Sequence, residues 1–310
     1  MRTQQASEKN TTLMGTKSAH QQHIHTRGQG MRGQHPPRWN RLWEGIPAFF
    51  GIIWLVIAFF PILYMFMSSL RPQTDFLTDV PWLPPSHPTL ANYQNVLQND
   101  FGLYFANSVF VTLISVLLIV VVSLFAAYAI SRILNGFTRV VFSLFLLGLA
   151  IPLQATIIPI YAMITNLHLY DTLFALIIPS VAFGIPLSVL VLVTYIRDIP
   201  QELHESMLLD GASHFRILCS LVLPLSRPAL ITVIIYETIQ VWNGFLFPLV
   251  LTQSPSVRVL PLALWSYQGQ FTTDVPAILA AVFLSAVPII LLYISGRRQL
   301  LSGLMAGFSK

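Results

Sequence analysis

Residues Phe101 to Ser131 read FGLYFANSVFVTLISVLLIVVVSLFAAYAIS, a run of 31 residues without one Asp, Glu, Lys or Arg. A bilayer-spanning helix needs about 20 consecutive apolar residues, since each helical residue rises about 1.5 Å across a hydrocarbon core of about 30 Å. The run therefore predicts a transmembrane helix, and the pattern repeats on both sides of it. An uncharged stretch of 26 residues separates Glu44 from Arg71, and another of 31 runs from Val140 to Tyr170. Further stretches cover Thr172 to Ile196, Pro228 to Val257 (interrupted only by Glu237) and Val275 to Gly296. Six such stretches predict an all-α, polytopic membrane protein with six transmembrane helices.

Composition excludes several other classes. Of 310 residues, 55% are hydrophobic and 9% charged, against about 25% charged in soluble domains, and the mean hydropathy is +0.68. A single cysteine, Cys219, leaves no intramolecular disulfide framework and no thiolate cluster for zinc or iron–sulfur chemistry. The net charge of +5 would suit nucleic acid only if the basic residues shared one soluble face. They segregate by loop instead. Arg2, Lys9, Lys17, Arg27, Arg32, Arg38 and Arg41 precede the first span, Arg132 and Arg139 lie between spans two and three, and Arg197, Arg216 and Arg227 between four and five. With Arg297, Arg298 and Lys310, fifteen fall on one side and only Arg71 and Arg258 on the other. Cytoplasmic loops retain Lys and Arg, so both termini are predicted to be cytoplasmic, and no nucleic-acid partner is needed.

Residues 1–43 are polar and lack apolar periodicity, which predicts a disordered cytoplasmic tail ahead of a membrane domain at 44–310. Gly45 to Leu70 is long enough to remain an uncleaved span rather than a removed signal. In the tail, His20, His23 and His25 are loosely spaced with no acidic or thiol partner nearby, and read as solvated. The loop at 71–100 carries Pro72, Pro81, Pro84, Pro85 and Pro88 and predicts an extended external segment, with Trp82 and Tyr93 suited to the interface. Its composition fits a partner-docking loop and a capping loop equally. Pro61, Pro152, Pro159, Pro179, Pro186, Pro248 and Pro288 predict bends within spans, and Ala277, Ala281 and Ser285 a close-packing face.

The one charged, amphipathic stretch between spans lies in the loop 197–227. Pro200 suits a first helical turn and Glu202 its positive end; Leu203, Met207 and Leu208 form an apolar stripe, and Gly211 suits a left-handed C-cap. Ser213 is placed to cap a second helix running into Pro224. His204 and His214 flank the turn and read as solvated surface, and Cys219 as a small buried apolar group. The stretch fits a docking helix or a solvated linker.

Here the sequence resembles a known family. Glu205-Ser206-Met207, three residues, Gly211, nine residues, Leu221, then Leu223-Pro224 is similar to the EAA loop of permease subunits in binding-protein-dependent ABC importers. Ser206 and Met207 stand where the family pattern has alanines. Asp210-Gly211-Ala212 and Leu223-Pro224-Leu225-Ser226-Arg227-Pro228 resemble the carbohydrate-uptake branch, as do Ser69-Leu70-Arg71-Pro72 with Asn92-Tyr93, Trp242-Asn243-Gly244-Phe245-Leu246-Phe247-Pro248 and the terminal Gly303-Leu304-Met305-Ala306-Gly307. Gly244 stands where relatives usually carry an acid.

The resemblance implies an inner-membrane subunit similar to the G-type permeases of maltose-type transporters. Such a subunit pairs with a second homologous permease, sits on two ABC ATPase subunits and receives solute from an extracytoplasmic solute-binding protein. It implies ATPase coupling through Glu202, Glu205, Ser206, Met207, Asp210, Gly211, Ala212, Leu223 and Pro224. No G-x-x-x-x-G-K-[ST] sequence occurs in the chain, so ATP and Mg would be bound by the partner subunits and no cofactor by this one. No catalytic or metal-binding constellation is expected. The implied cargo is a sugar or oligosaccharide, with glycerol phosphate or another small polar solute as the alternative. A stand-alone secondary transporter would need several intramembrane ion-coupling groups, and this chain offers one. A membrane enzyme would need clustered acids, histidines or a nucleophile.

That one group is Glu237, about ten residues into the fifth span and so about 15 Å along its axis. With Gln240 and Asn243 it marks a possible translocation path. Its carboxylate suits sugar hydroxyls and equally a hydrogen-bonded structural role at the interface with a partner permease.

Overall fold

The computed structural model describes residues 38–308 except for position 134 and residues 265–272, with side chains described between Pro47 and Gly296. The polar tail through residue 37, with His20, His23 and His25, and the side chains of the 303–307 motif lie outside the described residues. The chain divides into units 1–59 and 60–310. In the first, the described residues belong to the leading part of α1 (Arg38–Ser69), whose Phe49, Phe50 and Trp54 are exposed, as suits a helix whose solvent is lipid.

The second unit carries the remaining elements. After the end of α1, the short α2 (Gln73–Phe76) and α3 (Ala91–Gln98) stand in the 71–100 loop. Next come α4 (Phe101–Arg132), α5 (Gly136–Leu149), α6 (Ile157–Asn166) and α7 (Phe174–Arg197). The loop 197–227 forms α8 (Gln201–Leu209), α9 (His214–Ile217), a π-helical turn and α10 (Leu223–Leu225). It leads into α11 (Arg227–Trp242), α12 (Leu246–Leu251), α13 (Leu260–Ala263) and α14 (Val275–Phe308).

Among the described residues, four helical segments are long and apolar enough to cross a membrane singly: Pro47–Ser69, Phe101–Arg132, Phe174–Arg197 and Val275–Gly296. Two bent pairs, counted as one span each, bring the number to six. The third predicted span is thus not one helix: α5 ends at Leu149, and Leu153–Asn166 leaves at 97°. Pro152 explains the break, because it lacks an N–H and keeps the residue before it out of the helical region; its own backbone is extended at ψ 127. A capping box between Asn135 and Thr138 starts α5. The fifth predicted span also stops early. α11 ends at Trp242 instead of running to Val257, its end satisfied by the Asn243 amide, which donates to the Ile239 carbonyl at 2.9 Å. Before it, His214–Leu225 meets α11 at 77°, where Pro228 opens the new helix. By contrast, Pro179, Pro186 and Pro288 remain inside single helices.

The α4–α7 pair forms the spine of this unit. Ser115, Ser123 and Ala127 of α4 and Gly184 and Ser188 of α7 are all buried, the small residues that let membrane helices approach closely. A Cβ at Gly184 would lie 2.5 Å from Ile119 Cδ1 and 2.8 Å from Glu237 Oε2, so a side chain there would have to displace both. On α14, Ala277 and Ala281 are buried in one cluster with Val96 and Trp242, and Trp242 Nε1 donates to the Ser285 carbonyl at 3.1 Å. The small-residue face expected there is a packing face.

The loops at the Asp100 end of α4 are fastened by polar side chains. Asn107 donates to the carbonyls of Ser256 and Arg258 at 2.9 and 2.8 Å. Asp171 accepts from the Gln253 and Ser254 amides at 2.8 and 2.9 Å and from the Ser254 hydroxyl. The Ser254 hydroxyl foremost, with the two amides, holds the Asp171 carboxyl below the usual range.

Candidate functional site

In the loop 197–227 the local chemistry sets the geometry. Pro200 precedes α8 directly and Glu202 lies in its first turn. Gly211 has φ of +79, and a Cβ there would meet nothing within 4 Å, so glycine is selected by backbone conformation alone. Ser213 Oγ accepts from the Arg216 amide at 3.3 Å and caps α9. Glu202, Glu205, Ser206, Asp210, Gly211, Leu223 and Pro224 are exposed, and Met207 and Ala212 are half-buried against the α4–α7 core. Gln201 Nε2 donates to Glu205 Oε1 at 2.7 Å.

The apolar stripe differs from the expectation. Only Met207 of the three turns inward; Leu203 and Leu208 are 44% and 40% exposed, and Leu209 is 89% exposed. The inward face is completed by His204, which is 7% exposed rather than solvated. Its Nε2 lies 3.1 Å from the Tyr128 hydroxyl, and His214 Nδ1 lies 3.3 Å from the same oxygen. Sequence reading missed this cluster, whose members are 76 and 86 residues from Tyr128. α8 therefore turns His204 and Met207 to the bundle and presents Leu203, Leu208, Glu202 and Glu205 outward. Cys219 is likewise exposed, not buried, in the π-helical turn Leu218–Val222. A wider turn shifts the residues that follow relative to α-helical spacing.

The second candidate is a cavity of about 440 Å³ between α4, α5, α7, α11 and α12. Glu237 and Gln240 line it with Thr112, Ser180, Tyr236 and Phe245. Glu237 is 3% exposed, and Ser188 Oγ donates to its Oε1 at 3.1 Å. Asn243 is exposed and is not among the lining residues; its amide serves the end of α11. The structure thus brings Glu237 and Gln240 together and leaves Asn243 aside. Carboxylate, amide and hydroxyl groups among aromatic rings suit a polar, uncharged solute.

The described residues thus combine broken helical spans, a largely apolar cavity carrying a few polar groups and an outward-facing amphipathic loop helix. Residues 119–299 match the family described as the binding-protein-dependent transport system inner membrane component. The chain belongs to that family. It is 43% identical over 261 residues to an ABC transporter permease protein, ORF2, of Caldicellulosiruptor sp. (strain Rt8B.4), covering 84% of this chain and 95% of that one. With the trehalose/maltose transport system permease protein MalG of Thermococcus litoralis it shares 32% over 267 residues, 84% of this chain and 94% of the relative. Among solved structures, a chain of a bacterial ABC transporter involved in the import of the acidic polysaccharide alginate superposes with a TM-score of 0.74 at 22% identity, over 84% of this chain and 97% of the other. The protein is a multi-pass inner-membrane permease of the ABC importer class.

Within this permease, the motif residues of the 71–100 loop are structural. The Arg71 side chain, 1% exposed, donates to the carbonyls of Val80 at 3.0 Å and of Leu83. Asn92 Nδ2 donates to the Ser69 and Arg71 carbonyls at 2.7 and 2.8 Å. Tyr93 hydrogen-bonds Ser69 Oγ at 2.7 Å and so closes the loop instead of facing lipid. Ser69-Leu70-Arg71-Pro72 and Asn92-Tyr93 thus form one hydrogen-bonded unit.

Proposed function

We propose that this permease lines part of the path by which a sugar or oligosaccharide crosses the cytoplasmic membrane, powered by ATP hydrolysis in two partner ATPases. Its domain is 44–310, both termini face the cytoplasm, and the loop 197–227 docks on an ATPase. A second homologous permease completes the path, and an extracytoplasmic binding protein delivers solute to the 71–100 side. ATP and Mg belong to the ATPases, and this chain binds no cofactor of its own.

The observation that carries this reading is the outward face of α8. Exposed Leu203 and Leu208 beside Glu202 and Glu205, fixed by the Gly211 turn, form an amphipathic helix whose apolar side chains face water unless a partner covers them. The sugar reading is supported by relatives with names such as trehalose/maltose permease and by the hydroxyl, amide and carboxylate groups among the aromatic rings of the cavity. To test it, the complex is co-purified and its binding protein screened by thermal shift against sugars and sugar phosphates, where a true ligand raises the transition in proportion to the logarithm of its concentration. Stabilisation by a sugar is expected. Stabilisation by glycerol phosphates alone would overturn the sugar assignment.

Orientation is tested separately. His87, in the 71–100 loop, has a side chain 82% exposed, and native Cys219 is exposed in the 197–227 loop. In intact cells His87→Cys in a Cys219→Ser background should react with a membrane-impermeant maleimide, while native Cys219 reacts only once cells are opened. Labelling of Cys219 from outside would reverse the topology.

A further inference from the structure

The loop 197–227 is joined covalently to the bundle only by its flanking helices, α7 and α11. A third attachment is non-covalent and comes from α4, which packs against α5, α7, α11 and α13 and so gathers most of the bundle. One turn before its end, Tyr128, 8% exposed, is packed in the core with Val189, Leu192 and Ile217. Its hydroxyl is 3.1 Å from His204 Nε2 on α8 and 3.3 Å from His214 Nδ1 on α9. The two imidazoles lie 6.1 Å apart with their planes at 28°. On the next turn Arg132 Nη2 donates to the carbonyls of Ile196 and Ile199 at 3.2 and 3.3 Å, which anchors the entry to the loop.

We propose that Tyr128 is a positioning residue for energy coupling, its hydroxyl tying α4 to both sides of the Gly211 turn through His204 and His214, and that protonation of His204 loosens the tie. The inference rests on the reading of the loop as the ATPase-docking element.

The proton count gives the mechanism. A tyrosine hydroxyl carries one proton, so it donates to an unprotonated nitrogen of one imidazole and accepts from an N–H of the other. Both contacts exist together only while one facing nitrogen is bare. When His204 gains a proton the hydroxyl can no longer donate to it: its N–H must donate to the oxygen instead, the hydroxyl proton is turned away from both rings, and the new positive charge stands beside Arg132, so the tie is weakened. The charged and titratable groups facing His204 are Tyr128 and Arg132 on α4, His214 on α9 and Glu205 on α8. Burial, then Arg132 and His214, push the His204 imidazole below its ordinary value, against a smaller opposing pull from Glu205. A folded-state value below the unfolded one means that the tie is fully present above about pH 6.5 and is lost as pH falls through the lower folded value. At neutral pH the loop moves with α4; below the lowered His204 value it is loosened.

The test uses the assembled transporter in nanodiscs and needs no solute. Hydrogen exchange in the 201–209 segment, corrected for intrinsic rates, is followed from about pH 7.5 to about pH 5.5, together with ATP turnover over the same range. The wild type should exchange about tenfold faster at the acid end, as loss of a buried hydrogen-bonded tie implies. Tyr128→Phe, which keeps the ring and removes the hydroxyl, should exchange that fast already at neutral pH and lose the pH dependence, with turnover losing its pH profile as well. His204→Gln, which does not titrate, should also be flat. Wild-type protection in Tyr128→Phe, or a retained pH profile in either variant, overturns the proposal. Failure of the docking reading is seen elsewhere, as wild-type ATPase recovery with Glu205→Lys. Loss of ATPase from Glu205→Lys beside a wild-type Tyr128→Phe rejects this inference alone.

Discussion

Glu205→Lys and Gly211→Val should insert and pack like the wild type and yet purify without their ATPase subunits, or with ATP turnover that no longer answers to loaded binding protein. Neither substitution touches the core. Glu205 is exposed, and its carboxylate accepts from Gln201 Nε2 on the same helix at 2.7 Å. Gly211 has open space where a side chain would begin. The two act differently. Docking would cover Glu205 beside Leu203 and Leu208, and truncating one partner of a buried charge pair costs about 2 to 5 kcal/mol, to which a lysine adds repulsion. Valine at Gly211 meets no clash, but φ of +79 costs an L-residue about 1 to 2 kcal/mol, more when β-branched. The turn then relaxes toward negative φ and re-aims α8. Gly211→Asn, which tolerates left-handed backbone, should retain most of the coupling and so separates conformation from contact. The measurements are ATPase stoichiometry and ATP turnover in reconstituted vesicles. Wild-type values for both Glu205→Lys and Gly211→Val would remove the docking assignment.

The parts of this architecture legible in the sequence are those set by near neighbours. Pro200, Gly211 and Ser213 each act within four residues; Gly211 and Ser213 take the left-handed φ and the side-chain cap their chemistry predicts, while Pro200 stands one position before the first turn, with ψ of 132. The apolar runs were legible for the same reason, since length and absence of charge suffice to mark membrane spans. Their breaks were harder. Seven prolines invited bends, but a pyrrolidine ring inside a helix is tolerated when neighbours satisfy the freed carbonyl, and only Pro152 stands at the 97° turn, while Pro179 and Pro186 stay within α7. The Tyr128 tie to His204, the Arg71 contacts to loop carbonyls and the inward turn of His204 depend on long-range packing, for which one sequence carries no periodic signal. Leu203 and Leu208 show the converse. Their stripe was visible, but amphipathicity does not say whether the apolar side meets the protein's own core or another protein.

Glu237→Gln should lower solute uptake about ten- to hundredfold at subsaturating solute, chiefly through KM, while leaving assembly and ATPase recovery unchanged. Hydrogen bonds to a charged group contribute about 1.5 to 3 kcal/mol, more than those to a neutral amide, and the carboxylate lines a cavity of about 440 Å³ with Gln240 and Tyr236. Its Oε1 accepts from Ser188 Oγ at 3.1 Å, a bond that the glutamine oxygen can replace. On the α7 side, a Cβ at Gly184 would lie 2.8 Å from Glu237 Oε2, so the glycine leaves room for the carboxylate. Glu237→Leu separates the two readings of this residue. It strips the Ser188 hydroxyl of its acceptor in a buried site, which costs about 1 to 3 kcal/mol of stability, and removes all polar contact with solute. If Glu237 served packing alone, the glutamine variant would transport like the wild type and only the leucine variant would lower the melting temperature. If it contacts solute, both lose uptake and only the leucine loses stability as well. Unchanged uptake kinetics for Glu237→Gln across the sugars that stabilise the binding protein would return the residue to a structural role between α7 and α11.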